Sequence, residues 1–205
     1  MEIKRFIVGP LSTNCYWILY NGISILIDPG FEDEELISFL MGKNIDYIIF
    51  THYHIDHILG YHYVKNVINN KQKTIIHKLD YEFLNDPNTN GAGFIGFEFE
   101  KIDDAEYFDG EEFQIFPGCK LILASGHTPG SIVIYFENEK IMFSGDTIFS
   151  GGIGRTDLPG ADPKKMICTL RKLIQFPPQT IIYPGHEEST TLEKEKSLLS
   201  HYCEI

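Results

Sequence analysis

The segment Thr51-His52-Tyr53-His54-Ile55-Asp56-His57 puts four potential metal ligands, His52, His54, Asp56 and His57, within six residues. Histidines two apart on an extended backbone project to the same side, while Asp56 and His57 at the following turn aim at a neighbouring point. Two pairs of ligands imply two metals. Three more candidates lie downstream: His127 in Gly126-His127-Thr128-Pro129-Gly130, Asp146 in Gly145-Asp146-Thr147, and His186 in Pro184-Gly185-His186-Glu187. Each ends an apolar run and is flanked by glycine, which allows a sharp turn and leaves room for a cluster. Taken singly, each has a plainer explanation. Asp56 would cap a helix, His57 would be a surface residue at a helix end, and the Gly-His-Thr-Pro-Gly and Gly-Asp-Thr segments would be turn chemistry. The joint pattern reverses that reading, because five of the eight histidines occupy these positions. His62, His77 and His201 have no partner ligands in sequence and read as surface or core residues.

The elements that must position these residues follow from hydrophobic patterning. From Ile3 to Asp28, short β-branched and aromatic runs broken by Gly9-Pro10 and Asn21-Gly22 predict three strands, the last two forming a hairpin over Asn21-Gly22. A helix is predicted within Glu32 to Gly42, then a short strand from Asp46 to Phe50 running directly into the histidine-rich loop. A helix around Ile58 to Val67 and a strand near Thr74 to His77 complete a first half. The second half repeats the theme, with strands over 112–116, 120–124, 131–136, 140–144 and 180–183 and helices over 164–174 and 192–202. All four ligand segments therefore follow strands, and a sheet can gather strand ends at one edge. The stretch from Asn85 to Glu100 has no clear period, as functional loops commonly lack one. Two similar halves of interleaved strands and helices predict an α/β protein in which sheets pack face to face with helices outside, a four-layer αββα sandwich.

Composition bounds the rest. The 205 residues carry 17 Lys+Arg against 29 Asp+Glu, a formal net charge of -12. Such a chain buries roughly 70% of its unfolded surface, so it needs no disulfide or structural metal to fold, and a metal here needs a functional reason. The acidic balance argues against a nucleic-acid partner. No apolar run approaches the roughly 18 residues of a membrane span, and the N-terminus has no targeting pattern, so the expectation is an unprocessed cytoplasmic protein, one domain over 1–205, with no membrane partner. Cys15, Cys119, Cys168 and Cys203 stand far apart and read as buried or half-buried thiols.

The motifs HxHxDH, GHTPGS, SGDTIFSGGIGRTDLPG and YPGHE, with NCYWI near the start, resemble the metallo-β-lactamase superfamily over nearly the whole chain, in particular its short glyoxalase II-like (hydroxyacylglutathione hydrolase-like) members. The resemblance implies that His52, His54 and His127 hold a first metal, that Asp56, His57 and His186 hold a second, and that Asp146 bridges them. The ions would be zinc, with iron or manganese as alternatives. Arg155-Thr156-Asp157-Leu158 stands where many glyoxalase II enzymes have a lysine and a tyrosine for the thiol carrier. Only 19 residues follow His186 (205 minus 186), room for one helix and not for the helical extension that grips glutathione.

A binuclear site lowers the pKa of a shared water from about 15.7 to roughly 7, so the metal-bridging hydroxide is the expected nucleophile. Asp56 has a possible second use as its proton acceptor. Two divalent ions outweigh two aspartates and one hydroxide by a single positive charge, which suits a small anionic substrate. The resemblance implies hydrolysis of a small acyl thioester as the leading expectation, and the motif set, which shows no extra acid, fits it because a thiolate leaves without a dedicated general acid. Arg155 either binds a substrate carboxylate or pairs with Asp157. Phe94, Phe97 and Phe99 either line the pocket or pack in the core. The chief alternative is a single-iron persulfide dioxygenase, which the same fold resembles and which would use His52, His127 and Asp146. A non-catalytic metal-binding protein is the third.

Overall fold

In the computed structural model, which describes residues 1–204, the chain opens with β1 (Glu2–Val8) antiparallel to β2 (Thr13–Tyr20). Asn21 (φ 49°) and Gly22 (φ 82°) then take the left-handed conformation that a two-residue type I′ turn requires, and β3 (Ile23–Ile27) pairs back on β2. The hairpin expected over Asn21-Gly22 is present. There follow α1 (Glu34–Leu40), β4 (Tyr47–Ile49), α2 (Ile55–Ile58), α3 (Tyr61–Val67), β5 (Lys73–His77), α4 (Lys78–Tyr81), α5 (Ala92–Ile95) and β6 (Ala105–Phe108). The six strands form one sheet in chain order, with β3, β4, β5 and β6 parallel. Leu36 and Leu40 of α1 and Tyr61 and Val64 of α3 bury their apolar stripe with Leu26, Ile48 and Ile76 of the sheet in one core. These residues, Met1 to Phe108, are the first of two compact units.

The second unit begins at Asp109. It contains β7 (Glu112–Phe116), β8 (Cys119–Leu123), β9 (Ile132–Phe136), β10 (Ile141–Gly145), the small pair β11 (Ile148–Phe149) and β12 (Gly152–Ile153), α6 (Pro163–Leu173), β13 (Ile181–Pro184), β14 (Thr190–Thr191) and α7 (Leu192–Glu204). Its six-stranded sheet runs β14-β13-β10-β9-β8-β7. Asp162 caps α6 by accepting from the Lys164 and Lys165 amides, and Pro163 occupies the first helical position. Met166, Leu170 and Leu173 of α6 share a core with Val133, Met142 and Ile182 of the sheet. No helix among the described residues is long and apolar enough to cross a membrane.

Two expectations need correction. The helix expected around Ile58 to Val67 is present as α3 but starts only at Tyr61, and a separate short helix, α2, precedes it over Ile55–Ile58. Gly60 is pressed against the backbone of the Pro29–Phe31 turn, and its amide donates to the Gly30 carbonyl, so the chain restarts there. The elements α4, α5, β6, β11, β12 and β14 are also unforeseen. Each has four residues or fewer, too short to display a period.

Close backbone packing holds the ligand loop of the second unit. An ideal Cβ on Gly154 would lie 1.8 Å from the Asp146 carbonyl oxygen and 3.3 Å from the His127 ring, whereas one on Gly152 meets nothing within 4 Å. Gly154→Ala is therefore expected to cost about 2–3 kcal/mol and to lower the melting temperature by about 4–12 °C. Gly152→Ala should stay within about 0.5 kcal/mol of the parent. Thermal melts of the two variants provide the check, and equal shifts would contradict the packing argument.

Candidate functional site

In the first unit, the ligand loop leaves the C-terminal end of β4 beside the turn that leaves β3. Parallel register puts Ile27 opposite Ile49, and the Asp28 amide donates to the Ile49 carbonyl at 3.1 Å. Asp28, 1% exposed, then reaches across the strand ends. Its Oδ1 accepts from the Thr51 amide at 2.8 Å, and its Oδ2 accepts from the Thr51 hydroxyl at 2.6 Å and from His57 Nδ1 at 2.8 Å. Thr51 Oγ1 in turn lies 3.0 Å from His52 Nδ1. The His52 ring centroid is 4.7 Å from that of His54 and 4.1 Å from that of His57, so the three imidazoles form one cluster rather than separate pairs. Asp56 lies inside α2 and does not cap it; His54 is the N-cap residue. The Asp56 Oδ2 accepts from Thr13 Oγ1 at 3.1 Å and stands 3.5 Å from His57 Nε2.

The loop is also clamped from its own unit. Buried Asp80 accepts from the Tyr53 amide at 3.2 Å, and the Asn90 carbonyl accepts from the Ile55 amide at 2.8 Å. Burial, with the Asp80 charge adding to it, pushes the Tyr53 hydroxyl well above its usual range, so this phenol stays neutral. Asn90 belongs to the aperiodic 85–100 stretch, which thus buttresses the histidine loop.

In the second unit, β8 and β10 both pair antiparallel with β9, so they run the same way, and β13 is parallel to β10. Their C-terminal ends share an edge, and His127, Asp146 and His186 follow those three ends. Gly145 is paired with Pro184, and the Gly185 amide donates to the Gly145 carbonyl at 2.8 Å. One carboxylate oxygen, Asp146 Oδ2, consequently stands 3.6 Å from His127 Nε2 and 3.5 Å from His186 Nε2. His127 Nδ1 donates to the Arg155 carbonyl at 2.9 Å. Thr128 and Ser131 brace the His127 turn, with the Thr128 amide donating to Ser131 Oγ at 3.0 Å.

These spacings suit metal ligation better than direct pairing. Two ligand atoms about 2.1 Å from a tetrahedral ion stand roughly 3.4 Å apart, whereas N–H···O hydrogen bonds span about 2.7–3.2 Å. The three imidazole–carboxylate separations of 3.5, 3.6 and 3.5 Å fall at the former value. Imidazole and carboxylate donors suit zinc, iron or manganese. Such a donor set fits the metal that the motifs imply.

The other candidates are placed as follows. The Arg155 guanidinium, 67% exposed, makes a two-pronged ion pair with Asp157 at 2.9 Å on each arm, and this pairing holds Asp157 below the usual carboxylate range. Phe97 packs edge-on against Phe31, and with Phe99 and Tyr63 it lines a cleft of about 620 Å³ in the first unit. Phe94 is 76% exposed. Cys15 and Cys119 are buried, and burial pushes both thiols up, but Cys168 is exposed, against expectation. Sequence reasoning missed Asp28, Thr51, Thr13, Asp80 and the Arg155 carbonyl. For Asp28 a signal existed, an acidic residue between a buried strand and Pro-Gly. Because Arg155 orients His127 through its backbone, Arg155→Ala should leave the metal content of the purified protein unchanged by elemental analysis.

Residues 8–186 match the family model of the metallo-β-lactamase superfamily. Over 202 residues the chain is 29% identical to "Probable metallo-hydrolase YqgX" of Bacillus subtilis, covering 96% of this chain and 95% of that protein. Over 208 residues it is 32% identical to "Hydroxyacylglutathione hydrolase GloC" of Haemophilus influenzae, again covering 96% and 95%. Among solved structures, TTHA1623 in a di-iron-bound form superposes with a TM-score of 0.85 at 32% identity, covering 94% of this chain and 96% of that one. The matched stretch spans both units and contains every histidine and aspartate singled out from the motifs. The chain belongs to the metallo-β-lactamase superfamily.

Proposed function

We propose that the protein is a binuclear metal-dependent hydrolase of small acyl thioesters, active in the cytoplasm. In this reading His52, His54 and His127 hold one divalent ion, Asp56, His57 and His186 hold the other, and Asp146 serves both. The observation that carries it is the single Asp146 oxygen at ligand spacing from two imidazoles supplied by different segments, His127 and His186. Zinc is the proposed metal, with iron or manganese as alternatives, since His/Asp donors select weakly among them. The di-iron form of TTHA1623 and the name of the Haemophilus relative support the metal count and the thioester class respectively.

Bound there, two such ions would supply a hydroxide nucleophile at neutral pH and a Lewis acid for a carbonyl. The chain's own residues do the rest. Asp28 and the Arg155 carbonyl hold the His57 and His127 rings by Nδ1, which directs Nε2 inward as the ligand atom. Thr13 fixes the Asp56 carboxylate, the proposed acceptor of a proton from the attacking water. A thiol leaving group, with a pKa of about 8.5, departs as thiolate and needs no acid from the protein. The substrate is proposed to be anionic, drawn by the residual positive charge of two ions among these carboxylates. Arg155, which pairs with Asp157 at the surface, is the proposed contact for a substrate carboxylate.

Metal analysis after reconstitution should give two divalent ions per chain, and a value that stays at one would remove the binuclear reading. Asp146→Ala should lose both ions, and His186→Ala mainly one; equal losses would contradict the shared role of Asp146. For substrate, the reconstituted protein should cleave several acyl thioesters without a marked preference for S-lactoylglutathione, and a chelator should abolish the activity. Oxygen consumption on glutathione persulfide without thioester cleavage would instead establish the dioxygenase.

A further inference from the structure

The hydrogen bonds around Asp28 determine where the protons sit on two ligand histidines. An ionised carboxylate only accepts hydrogen bonds, so His57 Nδ1, 2.8 Å from Asp28 Oδ2, carries a hydrogen and the lone pair lies on Nε2. The Thr51 hydroxyl has one hydrogen, and it is spent on the same Asp28 Oδ2 at 2.6 Å. Toward His52 Nδ1, 3.0 Å away, the Thr51 oxygen therefore accepts, so His52 Nδ1 also carries its hydrogen and the lone pair again lies on Nε2. A carboxyl group at the end of β3 thus sets the tautomer of one histidine directly and of another through a single hydroxyl. Thr51 is 1% exposed and His52 and His57 are fully buried, so bulk water does not compete for these bonds.

We infer that Thr51 is a positioning residue that extends the control of one buried carboxylate, Asp28, from His57, which it holds directly, to His52, so that Asp28 governs a ligand of each metal. This rests on the binuclear reading above, which gives His52 to the first ion and His57 to the second. Thr51 touches neither ion. Its hydroxyl relays the acceptor strength of Asp28 to His52, raising the basicity of the ring and holding its plane. The Asp28–His57 bond does not pass through Thr51, so loss of the hydroxyl strikes one metal position and spares the other. An ordinary core threonine would have no such one-sided effect.

The test removes the hydroxyl at nearly constant shape and reads each metal position alone. Zinc affinity is measured by competition with a chromophoric chelator in two backgrounds of the full chain, His186→Ala, which retains the first position, and His54→Ala, which retains the second. Adding Thr51→Val should weaken zinc binding about 10–100-fold in the first background and leave it unchanged in the second. Adding Thr51→Ser, which keeps the hydroxyl, should leave both unchanged. Equal weakening in the two backgrounds, no weakening in either, or a serine variant that behaves like valine would overturn the inference. A second measurement needs no substitution: long-range proton–nitrogen spectra of the metal-stripped full chain should show His52 and His57 protonated at Nδ1. A His52 ring protonated at Nε2 overturns the relay even where the valine variant does not fold. Fewer than two ions in the unsubstituted protein would instead overturn the binuclear reading, and the inference with it, so the two failures are distinguishable.

Discussion

Parallel strands carry their hydrogen bonds to the last residue of each, so loops that leave neighbouring parallel strands start side by side. In the first unit the Ile27–Ile49 register places Asp28 next to Thr51, and the pairing of β4 with β5 places the Tyr53 amide within reach of Asp80. In the second unit the Gly145–Pro184 register places Asp146 next to His186. Each polar residue of interest is thus held by a ladder of backbone bonds before its own side chain makes any contact. Ligands gather beyond the carboxyl ends of strands in open α/β sheets for this same reason.

That placement has a cost. A carboxylate 1% exposed, such as Asp28, loses several kcal/mol of hydration, and only hydrogen bonds can return it. Its three donors, the Thr51 amide, the Thr51 hydroxyl and the His57 ring, all come from the ligand loop it must organise. Asp28 also sits at φ 49°, a conformation that asparagine and aspartate tolerate better than most residues, at roughly 1–3 kcal/mol of strain. Desolvation and strain are offset by the same bonds that orient the histidines, so loop geometry and ring orientation cannot vary independently.

Much of this was legible in the chain. The Asn21-Gly22 turn, the helix over 164–174 and the strand-then-ligand order of all four motifs were readable because each is a local pattern with a mechanical cause. What was hidden is what depends on neighbours distant in sequence. The break between α2 and α3 arises where Gly60 meets the Gly30 turn, thirty positions back; the glycine is visible in the chain, but the turn it packs against is not. The strand β6 has only four residues and exists because β5 offers it an edge. Asp28 stood in plain sight, but its role requires the parallel register that brings it to Thr51.

The two units solve the same orientation problem with different materials. The first concentrates four candidate ligands in six residues and aims two of the rings with side chains, Asp28 and Thr51, so its control can be altered by one substitution. The second spreads three candidates over sixty positions and aims His127 with a main-chain carbonyl, that of Arg155, whose place is fixed by the close approach of Gly154 to Asp146. A carbonyl cannot be removed by changing the side chain that follows it. The identity of residue 155 is therefore freed from supporting His127, and its guanidinium is left at the surface with Asp157. In the second unit the constrained residue is the glycine, which carries no chemistry, and a reading of chemically expressive side chains passes over it.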